Sequence, residues 1–271
     1  MRVITLLIVA LLSFLAVQGE AAEFAHVKWD GLLKRNVEVI SGGKITRVDY
    51  QNIQRERETL QQYLKSLEGV KQEAFDGWNP DDQLAFLINA YNGWTVELIL
   101  TKFPDLKSIK DLGSFFKSPW KKKFIPLLGE TRSLDDIEHK LIRGSGKYND
   151  PRIHFAVNCA SIGCPPLRAG AYTGEKLQQQ LEEATSLFLS DQGRNRYSNG
   201  KLEVSSIFKW YREDFEKGWF GIHSLEQFFA SQFVSLGLNK EQVEMVESGS
   251  VKIVFLDYDW ALNGLALEET E

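Results

Sequence analysis

Asn79-Pro80-Asp81-Asp82-Gln83-Leu84-Ala85-Phe86-Leu87-Ile88-Asn89-Ala90-Tyr91-Asn92 signals a helix in its first four residues. Asparagine supplies a cap, proline occupies the first helical position, and two acids sit on the positive end of the dipole. The helix is expected to run towards Phe103, where Pro104 stops it. Apolar residues from Leu84 to Leu100 surround its axis and leave no solvent face, so it belongs at the centre of the fold. Working outward, Ser133 caps a second helix over 134–143, ended by Gly144. Thr173 caps a third, with Leu177, Leu181, Ala184 and Phe188 in one stripe. Strand-like pieces fall at 123–128 and 131–133 around Gly129, and at 153–158, 202–204 and 251–256. Helices outweigh strands, and strands joined by close turns pair antiparallel. The expected class is α+β, a single domain of several helices packed with a small, mainly antiparallel sheet.

The 271 residues are 43% hydrophobic and 25% charged, which excludes collagen-like, coiled-coil and multi-span membrane classes. The net charge of −5 lacks the basic surface that a phosphate-backbone binder needs, so nucleic acid is not an expected partner. Two cysteines cannot form a disulfide-dense scaffold. No Gly-rich phosphate loop or dinucleotide fingerprint is present, so neither ATP nor NAD is implied and no cofactor is expected.

Met1-Arg2, the apolar run 3–17 and Gln18-Gly19-Glu20-Ala21-Ala22 have the layout of a secretory signal. As a helix the run would be about 22 Å long, short of the ~30 Å hydrocarbon core. The expectation is a cleaved signal over 1–22 and one domain over 23–271, secreted or periplasmic, with no membrane contact after cleavage. No Pro/Gly/Ser-rich linker, charge block or internal repeat divides that domain.

Three places depart from simple packing. Asn89 and Asn92 interrupt the central helix three residues apart, where buried amides either hydrogen-bond a neighbouring loop or line a site as oxyanion donors. On the second helix Glu138 falls inside the stripe of Leu134, Ile137, Leu141 and Ile142, and His139 lies at its edge. Arg143 is on the wrong face to pair with Glu138, so a partner must come from elsewhere or the carboxylate has an acid/base or orienting role. The third place is the segment 150–168, where His154 precedes the chain's two cysteines, Cys159 and Cys164. A disulfide, a thiol nucleophile with His154 as base, and a metal site completed by Glu138 or His139 all compete there. An extended strand would put His154 and Cys159 on opposite faces, which opposes the nucleophile unless the chain bends.

Val48-Asp49-Tyr50, LAFLINAYN (84–92), SLDDIEH (133–139) with Arg143, and DPRIHFAVNCASIGCPPL (150–167) resemble the domain of unknown function 547 family, DUF 547. SSIFKWY (205–211) followed by Asp214-Phe215, and YDWALN (258–263), are similar to its exported bacterial members. Relatives in intracellular proteins carry a similar histidine-cysteine-cysteine segment, which implies that a disulfide is not its whole purpose. Some relatives join this domain to glutaredoxin-like or signalling modules, which implies a portable binding or enzymatic unit. All the unusual residues fall within the family motifs, which implies one shared pocket.

The expected function is a thiol-dependent hydrolase or acyl transferase. Cys159 or Cys164 is the nucleophile, His154 the base, Glu138 or His139 its orienter, and Asn89 or Asn92 the oxyanion donor. The alternative is a non-catalytic envelope binding module braced by a Cys159–Cys164 disulfide or a structural metal. The aromatic cluster Phe208, Trp210, Tyr211, Phe215, Trp219 and Phe220 would then anchor a peptide, protein or carbohydrate ligand.

Overall fold

Helix α5 (Pro80–Leu100) is buried along nearly its whole length, and the remaining elements pack around it. Asn79 caps it as the sequence indicates, its side chain accepting the Asp82 amide at 2.9 Å. The helix ends at Leu100, short of Phe103. The computed structural model describes residues 24–114 and 117–266, so the expected signal segment lies outside the described residues. Among the described residues no helix is long and apolar enough to cross a membrane.

The N-terminal half supplies α1 (Val27–Asn36), the hairpin β1 (Val37–Ile40) and β2 (Ile45–Val48), α2 (Tyr50–Arg55), α3 (Arg57–Glu68) and α4 (Gln72–Asp76). A second hairpin, β3 (Ile125–Leu127) and β4 (Glu130–Arg132), turns on Leu128 and Gly129, both at positive φ. The C-terminal half holds α6 (Leu177–Leu189), β5 (Arg196–Ser198), β6 (Lys201–Ser205), α7 (Ile207–Trp210) and α8 (Arg212–Phe215). It continues through α9 (Leu225–Ser231), α10 (Phe233–Leu236) and α11 (Lys240–Glu247) to β7 (Lys252–Leu256). The class is α+β, but the strands form two separate hairpins and one three-stranded sheet rather than a single small sheet. Strand β6 pairs antiparallel with β5 and parallel with β7, the one parallel pairing beside three antiparallel ones among the described strands. The helices between β6 and β7 return the chain so that both strands end on the same side. That shared end carries Trp210 and Tyr211 after β6, and Tyr258 and Trp260 after β7.

Two apolar clusters make the core. One surrounds α5, and the other joins α7–α11 to the inner face of the mixed sheet. Helix α6 links them, with Leu177 and Leu181 in the first and Phe188 in the second. The segment 153–158, expected as a strand, is instead a 3₁₀ turn (Pro151–Phe155) followed by a loop. Asp150 accepts the Arg152 amide at 2.9 Å and Pro151 opens the turn, the same cap-proline device that starts α5. Its apolar residues serve both clusters, Ile153 the first and Phe155 the second, which mimics the alternation of a strand.

The second helix also differs. Asp136–Ile142 is π-helical and continues in a 3₁₀ turn to Gly146 (φ 71°), past the expected stop at Gly144. Ser133 caps it reciprocally with Asp136. Glu138 is buried as expected while Leu141 is only half-buried, because the wider π turn rotates the stripe. Thr173 starts the third helical segment without a side-chain cap bond.

His26 is 6% exposed against Phe24 and Phe86, with Nδ1 at 2.8 Å from the Tyr63 hydroxyl. Burial lowers its pKa from 6.5 to about 3. Unfolded chains therefore take up a proton near pH 6.5 that the folded state refuses until about pH 3, so stability is lost as pH falls through this range. The full contribution is on the order of 5 kcal/mol. The fall in Tm between pH 7 and pH 4.5 should be smaller in His26→Gln than in wild type, as followed by circular dichroism.

Candidate active site

A cleft of about 180 Å³ at the shared end of β6 and β7 collects His154, Cys159, Cys164, Glu138 and His139. A larger cavity of about 740 Å³ beside α1 and residues 166–173 contains none of them.

His154 is 2% exposed, and its Nε2 lies 2.8 Å from Asp214 Oδ2. The ring stacks on Tyr211 with centroids 3.9 Å apart. A carboxylate can only accept, so Nε2 carries the proton and Nδ1 keeps its lone pair. Nδ1 is buried with no hydrogen-bond partner. Burial lowers the histidine pKa against the upward pull of Asp214 and Glu138, so the ring is neutral at pH 7. Asp214 also receives Arg143 Nε and Lys217 Nζ. Burial alone would raise its carboxyl, but the bonds from His154, Arg143 and Lys217 hold it well below the usual carboxylate range. The side chain that hydrogen-bonds His154 is Asp214 on α8, whereas the sequence pointed to Glu138 or His139 as its partner. His139 accepts Arg143 Nη1 at Nδ1 (2.6 Å) and is half-exposed at the mouth.

The two thiols sit in a loop closed by its own backbone. The Cys159 amide donates to Cys164 Sγ at 2.9 Å, and the Cys164 amide donates to the Ser161 carbonyl. Asn158 ties both ends, accepting the Ala160 amide and donating to the Pro165 carbonyl, with Ala160 at φ 60°. The loop docks on the segment after β7 through the Ile162 and Gly163 amides, which reach the Ala261 and Asp259 carbonyls. Cys159 Sγ lies 3.2 Å from both Ser161 Oγ and the Tyr258 hydroxyl. Both cysteines are free thiols, although the loop brings them into hydrogen-bonding contact. Contact with Cys164 and burial push the Cys159 thiol well up. Burial opposes ionisation of Cys164 too, but donors from Cys159, Tyr258 and Ser161 outweigh it and lower its pKa.

Asn89 and Asn92 lie elsewhere than expected for oxyanion donors. Asn89 exchanges two hydrogen bonds with the Tyr172 backbone, at 2.7 and 3.0 Å. Asn92 donates to the Ala156 carbonyl and accepts the Asn158 amide. Both amides fasten loops to α5. Asn158 continues to Asn263 and Tyr50, a buried polar chain that holds the loop from beneath. Among the described residues no group of three or more His, Cys, Asp and Glu is placed to hold a metal ion. Within the aromatic cluster, Phe208 and Phe215 are core, Phe220 is 85% exposed away from the cleft, and only Trp210 and Tyr211 line it. Sequence reasoning missed Asp214, Tyr91 and Tyr258 as site residues. The Asp214-Phe215 and Tyr258-Asp259-Trp260 motifs were the available signals.

No curated protein and no solved structure matches the chain. Residues 75–189 match a family model described as "Protein of unknown function, DUF547", and that segment contains all seven residues singled out from the sequence. Asp214, Tyr211 and Tyr258 lie beyond it. The match supports the resemblance of this segment to the DUF547 family.

Proposed function

We propose that the protein is an exported thiol-dependent acyl-transfer enzyme, a hydrolase or acyl transferase, with Cys164 as nucleophile and His154 as base. The observation that carries this reading is the neutral, Asp214-held His154, whose unpartnered Nδ1 belongs to the same cleft as the thiol pair. Cys164 Sγ attacks an acyl carbonyl, and its proton passes to His154 Nδ1. The tetrahedral adduct collapses, His154 protonates the leaving group, and a thioester remains on Cys164. Water or a second acceptor, deprotonated by His154, then cleaves the thioester and restores the thiol. Cys159 supports the thiolate through its amide and thiol.

The test is incubation with p-nitrophenyl acetate followed by intact-protein mass spectrometry. The expected result is one acetyl group mapped to Cys164, which disappears on dilution. Absence of any adduct, or an equal adduct in Cys164→Ser, contradicts the proposal. A non-catalytic envelope module is the second reading, favoured by the aromatic wall in which Trp260 packs against Trp210 and Trp120 at 5.7 and 5.8 Å. It predicts ligand binding with no acyl adduct.

Export is read from residues 1–22. Protein recovered from the envelope of a secreting host should begin at Ala22 or Glu23 by mass spectrometry. Intact Met1 in a membrane fraction contradicts export.

A further inference from the structure

Glu138 takes no part in the chemistry proposed above, yet it is 4% exposed and lines the cleft. Its Oε1 is buried with no hydrogen-bond partner, and among the described residues it forms no ion pair with lysine or arginine. Cations on its own helix are engaged elsewhere: Arg143 on Asp214, Lys140 on Asp136. A buried carboxylate without a cation is costly, and a ligand that supplies the cation recovers that cost. The cleft around it has the matching character. Asp135 is a second carboxylate in its wall, and among the described residues no lysine or arginine lines it, the nearest aromatic-bound cation being Lys110, whose Nζ lies 3.7 Å from the centre of the Trp260 ring. Much of the remaining wall is aromatic, including Tyr91, Trp120, Trp210 and Trp260. Ring faces attract ammonium groups and strengthen that attraction when water is excluded.

We infer that the cleft selects its substrate by a protonated primary amine, received by Glu138 between these aromatic walls. The inference rests on reading the cleft as the substrate site and adds the class of group it recognises. The volume of about 180 Å³ equals that of about six waters, enough for a small amine-bearing head rather than a folded domain. A peptide N-terminus and a lysine side chain both present this chemistry.

Tryptophan fluorescence of the full chain reports occupancy, because three tryptophans line the cleft. Benzylamine and its neutral counterpart, benzyl alcohol, are titrated at pH 7 into wild type, Glu138→Gln and the double variant Cys159→Ser/Cys164→Ser. Benzylamine is expected to bind at least tenfold more tightly than benzyl alcohol to wild type and to the double variant. Glu138→Gln should abolish that preference. Equal Kd values in wild type, no saturable binding of benzylamine at millimolar concentration, or a full preference in Glu138→Gln each overturn the inference. The comparison in wild type decides the matter even if Glu138→Gln fails to fold. Two further titrants assign the source of the amine: a dipeptide amide with a free N-terminus, and Nα-acetyl-lysine methylamide. Loss of binding when the amine of either is acetylated supports the inference, whereas indifference to acetylation in both overturns it. An amine preference retained in the double variant, together with no acyl adduct in wild type, removes the acyl-transfer reading and leaves amine recognition standing.

Discussion

Asp214→Ala is expected to lower stability by about 3–5 kcal/mol, because it strands three partners of one buried carboxylate. Arg143 and His154 are themselves largely or wholly buried and lose their acceptor, while Lys217 loses its ion pair. For a chain of this size that is a fall in Tm of about 10 °C. The same residue separates folding from chemistry. Asp214→Asn keeps the volume but is no longer an obligate acceptor, so His154 is free to adopt the other tautomer with the proton on Nδ1. Loss of the tautomer-fixing carboxylate in a histidine-based site costs about 10⁴ in rate. Acyl transfer in Asp214→Asn should therefore fall by about that factor, with a smaller loss of Tm than in Asp214→Ala. The pH response has a fixed sign. A depressed carboxyl pKa stabilises the fold above the unfolded value near 4 and loses that contribution as pH falls below it. Asp214→Ala should consequently show less additional acid destabilisation below pH 4 than wild type.

The second large effect distinguishes the two thiols. Cys164→Ser should abolish acyl-enzyme formation, a loss of about 10⁶ if it resembles removal of the nucleophile in other acyl-transfer sites. Cys159→Ser keeps the amide that donates to Cys164 Sγ, and it keeps Tyr258 and Ser161. It should retain the adduct and lose only part of the rate, since a single hydrogen bond to a charged group contributes about 1.5–3 kcal/mol. Equal loss in both variants would mean that the thiols act as one redox or structural unit.

The centre of the fold was legible because its information is local. Asn79 and Pro80 set where α5 starts, and its unbroken apolar surface made it central. Asp150 and Pro151 carry the same local signal, but Ile153, Phe155 and Val157 alternate like a strand. Only the positions of two separate apolar clusters show why they alternate. That error produced the objection that His154 and Cys159 face apart; a 3₁₀ turn and a loop remove the period-two geometry on which it depended. Asn89 and Asn92 were recognisable as buried amides, but their partners are backbone groups 64 to 83 residues away in the chain. Asp214 is 60 residues from His154. On a four-residue helix it reads from sequence as an ordinary surface acid, and only tertiary packing aims it inward.

The most direct test of a thiol activated by an Asp214-held histidine is a pH series of iodoacetamide alkylation rates on reduced wild type, His154→Ala, Cys159→Ser and Cys164→Ser. Reaction at Cys164 should titrate below the ordinary thiol value of about 8.5, and His154→Ala should slow it near pH 7 by removing the base that takes the thiol proton. Identical ordinary-thiol profiles for Cys164 in wild type and His154→Ala would contradict the account.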